Sequence, residues 1–155
     1  MTASEYSALL GDIYDRQVDT VYRVCRMYMK NHQDAADMVH NTFLALLKKQ
    51  KIFENEEHEK SWLIKVAVNM CKNELKHWSR KTEDISGMEI TAGGNEDHIT
   101  PLVMQLPTDL KVPVYLHYYE GYRSDEIGEM LGISASAVRT RLQKAREILK
   151  ENFLC

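Results

Sequence analysis

Apolar residues recur every three or four positions along most of this chain. Leu9, Leu10, Ile13, Tyr14, Val21, Cys25, Tyr28 and Met29 keep that period from residue 5 to residue 30, and no Pro, nor any Gly after Gly11, interrupts it. The spacing predicts an amphipathic helix there and a second over about 34–49, with Ala35, Met38, Val39, Phe43, Leu46 and Leu47 inward. A third runs from near Glu59 to Trp78 and buries Leu63, Val66, Ala67, Met70 and Leu75. Three such helices make a bundle. From Glu83 to Thr100 the period stops, and Gly87, the pair Gly93-Gly94 and a run of acids read as a flexible linker. Pro101 and Pro107 then punctuate short segments ahead of a helix over 108–119, in which Pro113 is tolerated only within the first turn.

Two further helices close the pattern. Ser124 to Leu131 reads as a short helix with a Ser cap and with Asp125 and Glu126 in its first turn, where they complement the helix dipole; Gly132 ends it. Ser134 caps the next, on which Val138, Leu142, Ala145 and Leu149 form one apolar stripe. Ser136, Arg139, Thr140, Gln143 and Lys144 lie away from that stripe, with no carboxylate among them until Glu147. A short helix, a glycine turn and a second helix with a basic polar face are the parts of a helix-turn-helix, whose second helix enters the major groove. A helical hairpin with ordinary solvated cations is the plainer alternative. The expected architecture is all-α, with two small helical domains, 1–82 and 101–155, joined by the flexible linker 83–100, the C-terminal one a helix-turn-helix.

At 155 residues, 44% of them hydrophobic and 28% charged, the chain can build cores and is not globally disordered. No apolar run approaches the roughly 20 residues that span a bilayer, and the N-terminus lacks a basic-then-apolar signal, so no membrane insertion and a cytoplasmic location are expected. Cys25, Cys71 and Cys155 show no close pairing or metal spacing; Cys25 and Cys71 read as core hydrophobes in a reducing compartment. The six histidines show no metal spacing either, and there is no P-loop or nucleophile motif. No enzyme, metal, cofactor or small-molecule substrate is therefore expected.

The net charge of −3 hides a segregation of sign. Residues 60–81 carry Lys60, Lys65, Lys72, Lys76, Arg80 and Lys81 against Glu74 alone, and residues 134–155 carry five bases against two acids, whereas 82–100 hold five acids and no base. Attraction beyond about 10 Å is largely screened at cellular salt, so these blocks amount to two separate anion-binding surfaces.

Taken together, the motifs resemble those of the extracytoplasmic-function sigma factors, compact members of the sigma-70 superfamily. "VPVYLHYYEGYRSDEIGEMLGIS" followed by "AVRTRLQKAREIL" is similar to the family's domain 4; "DAADMVHNTFLALL" resembles its polymerase-binding segment and "SWLIKVAVNMCKNELK" its tryptophan-led promoter-melting helix. The resemblance implies a factor that binds core RNA polymerase and promoter DNA, initiates transcription, leaves catalysis to the polymerase, and is held in check by an anti-sigma factor. Candidates for the minus-ten element are then Trp62, Lys65, Asn69, Lys72, Asn73, Lys76, His77 and Arg80, with a core tryptophan against Phe43 or Leu47 as the other reading of Trp62. Ser136, Arg139, Thr140 and Gln143 are the base-edge candidates for the minus-35 element. Arg141, Lys144 and Arg146 flank them and Arg123 precedes the first helix as phosphate contacts, Arg146 having an internal acid as its alternative partner, and the cap Ser134 completes the minus-35 set.

Asp34, Asp37, His40, Asn41 and Leu44 are the implied polymerase contacts. The chain departs from the family pattern at Ala36, His40, Asn41 and Asn73, and "FENEEHEK" sets four acids where the loop before the tryptophan usually holds a flipped base. The competing function is a stand-alone helix-turn-helix regulator acting on an operator without polymerase.

Overall fold

The computed structural model describes residues 1–81 and 100–154. All but Thr100 of the expected linker lies outside the described residues. Among these, all regular structure is helical, and the chain divides into two compact units, Met1–Gly93 and Gly94–Cys155.

In the first unit α1 spans Ala3–Tyr28, α2 His32–Lys49 and α3 Glu56–Lys81. Each start is set by a side chain that accepts from an otherwise unpaired backbone donor. Thr2 Oγ1 accepts from Glu5 N–H (3.1 Å), Asn31 Oδ1 from Asp34 N–H (2.8 Å) and Asn55 Oδ1 from His58 N–H (2.8 Å). The Asn caps explain why α2 and α3 begin two and three residues earlier than apolar spacing predicts. Lys49 is followed by Gln50 in the left-handed region (φ 48°), which ends α2. Tyr6 lies buried and donates to the carbonyls of Leu46 and Lys51 (3.2 and 2.9 Å), fixing the exit of α2 against α1.

The core between the three helices holds Ile13, Val21, Val24, Leu46, Leu63, Ile64, Ala67 and Val68. On α3 the buried arc is rotated from the expected one: Ile64, Val68 and Cys71 are buried, whereas Val66, Met70 and Leu75 are only half-buried. The helix packs on both α1 and α2, so its buried arc is wider than one stripe. Two expected core residues, Tyr14 and Leu47, are exposed, although the Tyr14 ring meets Phe43 edge-on at 4.9 Å. Cys25 and Cys71, 46 positions apart, meet in this core. The hydrogen bond that the Cys25 thiol gives to Cys71, reinforced by burial, pushes the Cys25 thiol far above its ordinary range, which makes the pair inert packing.

In the second unit α4 is Pro101–Met104, α5 Thr108–Val114, α6 Ser124–Leu131 and α7 Ala135–Leu154. Pro113 stands in the second turn of α5, not the first, and is buried. It cannot donate to the carbonyl of Asp109, and the helix widens at once into a π-helical turn over Tyr115–Tyr119. The expected Ser cap of α6 is corrected: Ser124 is the first helical residue, and Arg123 is the cap, its N–H donating to Glu126 Oε1 (2.9 Å). The Ser134 cap of α7 is present, with Oγ accepting from Ala137 N–H (3.0 Å).

Between α6 and α7, Gly132 adopts φ 73° and Gly128 packs directly under the turn. A Cβ built on Gly128 would stand 2.6 Å from the Ile133 carbonyl oxygen and 3.3 Å from Ala135 N. That contact sets how closely α7 approaches α6. Val138, Leu142 and Ala145 of α7 are buried with Ile127, Leu110, Leu116 and Tyr115.

Gly128→Ala is expected to destabilise the second unit by about 1–3 kcal/mol, because backbone cannot yield as a side-chain tip can. Gly11→Ala, in an open position on α1, should instead stabilise by about 0.5–1 kcal/mol. Urea unfolding of the two variants, read by circular dichroism, checks both signs.

Candidate nucleic-acid interface

Along α7, Ser136, Arg139, Thr140, Gln143, Lys144 and Arg146 are exposed and Arg141 is half-buried, while the apolar stripe faces inward. The polar face expected on α7 is therefore exposed, and its hydrogen-bonding state can be read. Thr140 donates its hydroxyl to the Ser136 carbonyl (3.1 Å), so its methyl group and lone pairs remain for a partner. Gln143 Nε2 reaches Glu147 Oε1 (3.4 Å), which orients the amide. Arg139 and Lys144 have no ion pair or hydrogen bond among the described residues. Arg146 has neither an acid nor open solvent alone: it donates to the Tyr118 hydroxyl (3.1 Å).

Arg123, the expected phosphate contact ahead of α6, is exposed and has acids beside it. Its guanidinium pairs with Asp125 (3.3 Å) and Glu126 (3.7 Å), and in turn holds the Asp125 carboxyl below the usual carboxylate range. A cation already shared by two carboxylates has little net charge left for a phosphate.

On α3, Lys65, Asn69, Asn73, Lys76 and His77 are exposed, Trp62 and Lys72 half-buried. Spacings of three, four and seven place these on the side opposite the buried arc; the side chain of Arg80 lies outside the described residues. Trp62 does not have Phe43 as its ring partner. It meets Phe53 at 5.7 Å, and the ammonium groups of Lys51 and Lys49 stand 5.6 and 5.9 Å from its centroid. Lys51 also approaches Phe53 (6.0 Å), and His58 sets its ring perpendicular to Phe53 at 5.2 Å. Cation–π contacts of this kind contribute about 0.5–1 kcal/mol at exposed sites. Sequence reading missed Lys51 and Phe53, because the α2–α3 connection has no period to read, and Lys49 and His58, which stand at the helix ends on either side of it.

The four acids near that tryptophan are corrected as well. Only Glu54 sits in the connection; Glu56, Glu57 and Glu59 occupy the first turn of α3, where carboxylates complement the helix dipole. Glu59 is 4% exposed and turned inward, accepting from Arg16 (3.0 Å to Nη2) and Gln17 Nε2 (3.0 Å). One of the four acids is thus withdrawn into the bundle, while Glu54, Glu56 and Glu57 stay exposed.

The expected polymerase contacts lie along α2. Asp37, His40 and Asn41 are exposed, Leu44 is half-buried, and Asp34 accepts from the Asn31 side-chain amide (2.9 Å). Asn41 and Leu44 also line, with Met38, Met70, Asn73 and Glu74, a groove of about 380 Å³ between α2 and α3. Among the described residues no cluster of His, Cys, Asp and Glu could hold a metal ion, and no helix is long and apolar enough to cross a membrane.

Residues 13–81 match the family described as Sigma-70 region 2, and residues 99–149 match Sigma-70, region 4. The chain is 28% identical to the RNA polymerase sigma factor SigV of Bacillus subtilis, over 92% of this chain and 89% of that protein. It is 27% identical to the RNA polymerase sigma factor CarQ of Myxococcus xanthus, over 90% and 86%. Its fold is similar to that of the sigma factor RpoE of Bartonella quintana, solved in complex with the anti-sigma factor NepR, with a TM-score of 0.73, 18% identity and 95% of each chain covered.

Removing Arg16 would leave the Glu59 carboxylate buried with Gln17 alone. Arg16→Leu is expected to cost about 1–3 kcal/mol, chiefly from that stranded charge, since Arg16 itself is a third exposed. Glu59→Gln, which keeps the shape and a bond to Gln17, should cost less. Urea unfolding followed by tryptophan fluorescence ranks the two.

Proposed function

Because the chain belongs to the sigma-70 family, we propose that it works as an extracytoplasmic-function RNA polymerase sigma factor, binding core polymerase, recognising minus-ten and minus-35 promoter elements and directing initiation. The observation that carries this reading is the pair of exposed cationic faces, on α3 and on α7, each within a separately matched sigma region and in the family's order. The working division is residues 1–82 for polymerase and minus-ten binding, 83–100 as tether and 101–155 for the minus-35 duplex. The polymerase supplies the chemistry, so the chain itself is no enzyme, and it acts in the cytoplasm where the polymerase is.

On α7, Arg139 has the paired donors for a guanine edge and Gln143 the donor and acceptor for an adenine edge, Ser136 and Thr140 supplement them, and Arg141 and Lys144 hold the flanking phosphates beside Ser134. On α3, Lys65, Lys72, Lys76, His77 and Arg80 follow the backbone of the melted strand while Asn69 and Asn73 contact base edges. Trp62 serves there as the seat that holds Lys49 and Lys51 outward beside Phe53, a stacking surface rimmed by cations. Asp34, Asp37, His40, Asn41 and Leu44 face the polymerase. An anti-sigma factor, of the kind bound by the Bartonella relative, would silence the chain by covering these same faces. A stand-alone operator-binding regulator is not favoured, because it leaves residues 13–81 without a role.

Core polymerase mixed with the purified chain and a promoter library should begin transcripts at discrete starts that the core alone does not use; association with neither polymerase nor promoter sinks the reading. On the mapped promoter, Arg139→Ala should lose discrimination at one minus-35 base by about 1–3 kcal/mol. Lys144→Ala should weaken all sequences alike and flatten the salt dependence by about one ion. Competition binding over a salt series separates the two outcomes.

A further inference from the structure

Arg146 and Tyr118 make a site that the base-reading face does not include. Tyr118 is 54% exposed, sits in the π-helical turn, and accepts from Arg146 Nη1 at 3.1 Å across 28 positions of sequence. A phenol oxygen that accepts a hydrogen bond keeps its own O–H to give, and the guanidinium against it makes that O–H a stronger donor. No acceptor among the described residues takes this proton. Arg146 has further N–H donors in its planar fork, and no carboxylate among the described residues pairs with it.

The ring of Tyr118 is braced. His117 meets it edge-on at 4.7 Å, and His117 Nδ1 stands 2.8 Å from the Tyr122 carbonyl oxygen, an acceptor that requires the Nδ1–H form. Arg146 follows Arg139 by seven residues, two helical turns, and so shares its side of α7. The pair therefore stands at the edge of the recognition face, where a duplex backbone would pass.

On the reading of the second unit as a minus-35 binder, we propose that Tyr118 and Arg146 together clasp one backbone phosphate of that duplex, the guanidinium giving charge and the phenol a second donor. Tyr118 thereby contributes both a contact and the fixed position of Arg146. The clasp adds affinity without reading sequence.

The test is holoenzyme binding to promoter duplexes carrying a neutral methylphosphonate at successive minus-35 backbone positions. Wild type should lose affinity at one position beyond the base-reading contacts, and that penalty should vanish in Arg146→Ala and shrink in Tyr118→Phe. Tyr118→Phe should weaken binding roughly three- to tenfold on every sequence. Its salt slope should stay unchanged, whereas Arg146→Ala lowers the slope by about one and leaves Tyr118→Phe without further effect. Thermal unfolding should be the same for wild type and Tyr118→Phe, which a merely structural role would not give. Wild-type affinity in Tyr118→Phe, additive losses in the double variant, or a methylphosphonate penalty that persists in Arg146→Ala would each overturn the clasp while leaving the sigma assignment standing. So would reduced core-polymerase affinity with unchanged DNA binding, which would make the pair a seat for an acidic protein surface. A wild-type holoenzyme that holds no promoter would overturn both.

Discussion

Keeping opposite charges apart on a single helix is the condition on which the first unit's chemistry rests. Helix α3 begins with Glu56, Glu57 and Glu59 and continues with Lys60, Lys65, Lys72 and Lys76. In solution a segment so charged would present both signs at once. The fold separates them along the axis. The acids fall in the first turn, where the partial positive charge of the helix terminus holds them, and the innermost, Glu59, is withdrawn against Arg16 and Gln17. The lysines beyond are left to dominate the exposed side. Gln17, a polar residue in the core of α1, has its reason here: it and Arg16 are what allow a carboxylate to be buried at all.

The second unit meets the same condition by another route. Its acids cluster on and just before α6, where Asp125 and Glu126 occupy the first turn and draw Arg123 back onto themselves. Helix α7 has no acid in its first turn, and Ser134 caps it without adding charge. The neutral cap keeps the N-terminal end of α7, the end with unpaired donors, free of a carboxylate that would repel DNA. Gly128 then controls the presentation of that end, since its missing Cβ is what lets the turn at Ile133 close on α6. Charge placement and helix approach are thus set by different residues and can be varied independently.

The period of apolar residues was enough to read the helices, the bundle and the helix-turn-helix, because burial on one side of a helix leaves its mark every three or four positions. It located the exposed face of α7 residue by residue. It was less accurate for α3, where contact with two neighbours widens the buried arc, and it was silent for the α2–α3 connection that gives Trp62 its partners. Contacts between distant positions carry no local signal. The meeting of Cys25 with Cys71, of Arg16 with Glu59 and of Tyr118 with Arg146 comes from how helices cross, which one-dimensional spacing does not encode. Arg123 is the reverse case. Its acids were visible two and three residues away, and the geometry of a helix start turns such neighbours into partners.

Two cationic faces in a chain of net charge −3 and pI near 6.1 bear directly on specificity. Non-specific affinity for DNA rises with each phosphate neutralised, and a uniformly basic protein of this size would be held by any duplex. Confining the cations to a few residues on each of two faces keeps either face weak alone, and the acidic remainder opposes binding in other orientations. On the proposed function, strong binding then requires both faces to engage one molecule, the second contact being made at the effective concentration set by whatever holds the two units. For a factor that acts only when seated on a polymerase, weakness of the free chain is the property that leaves the choice of promoter to the assembled complex.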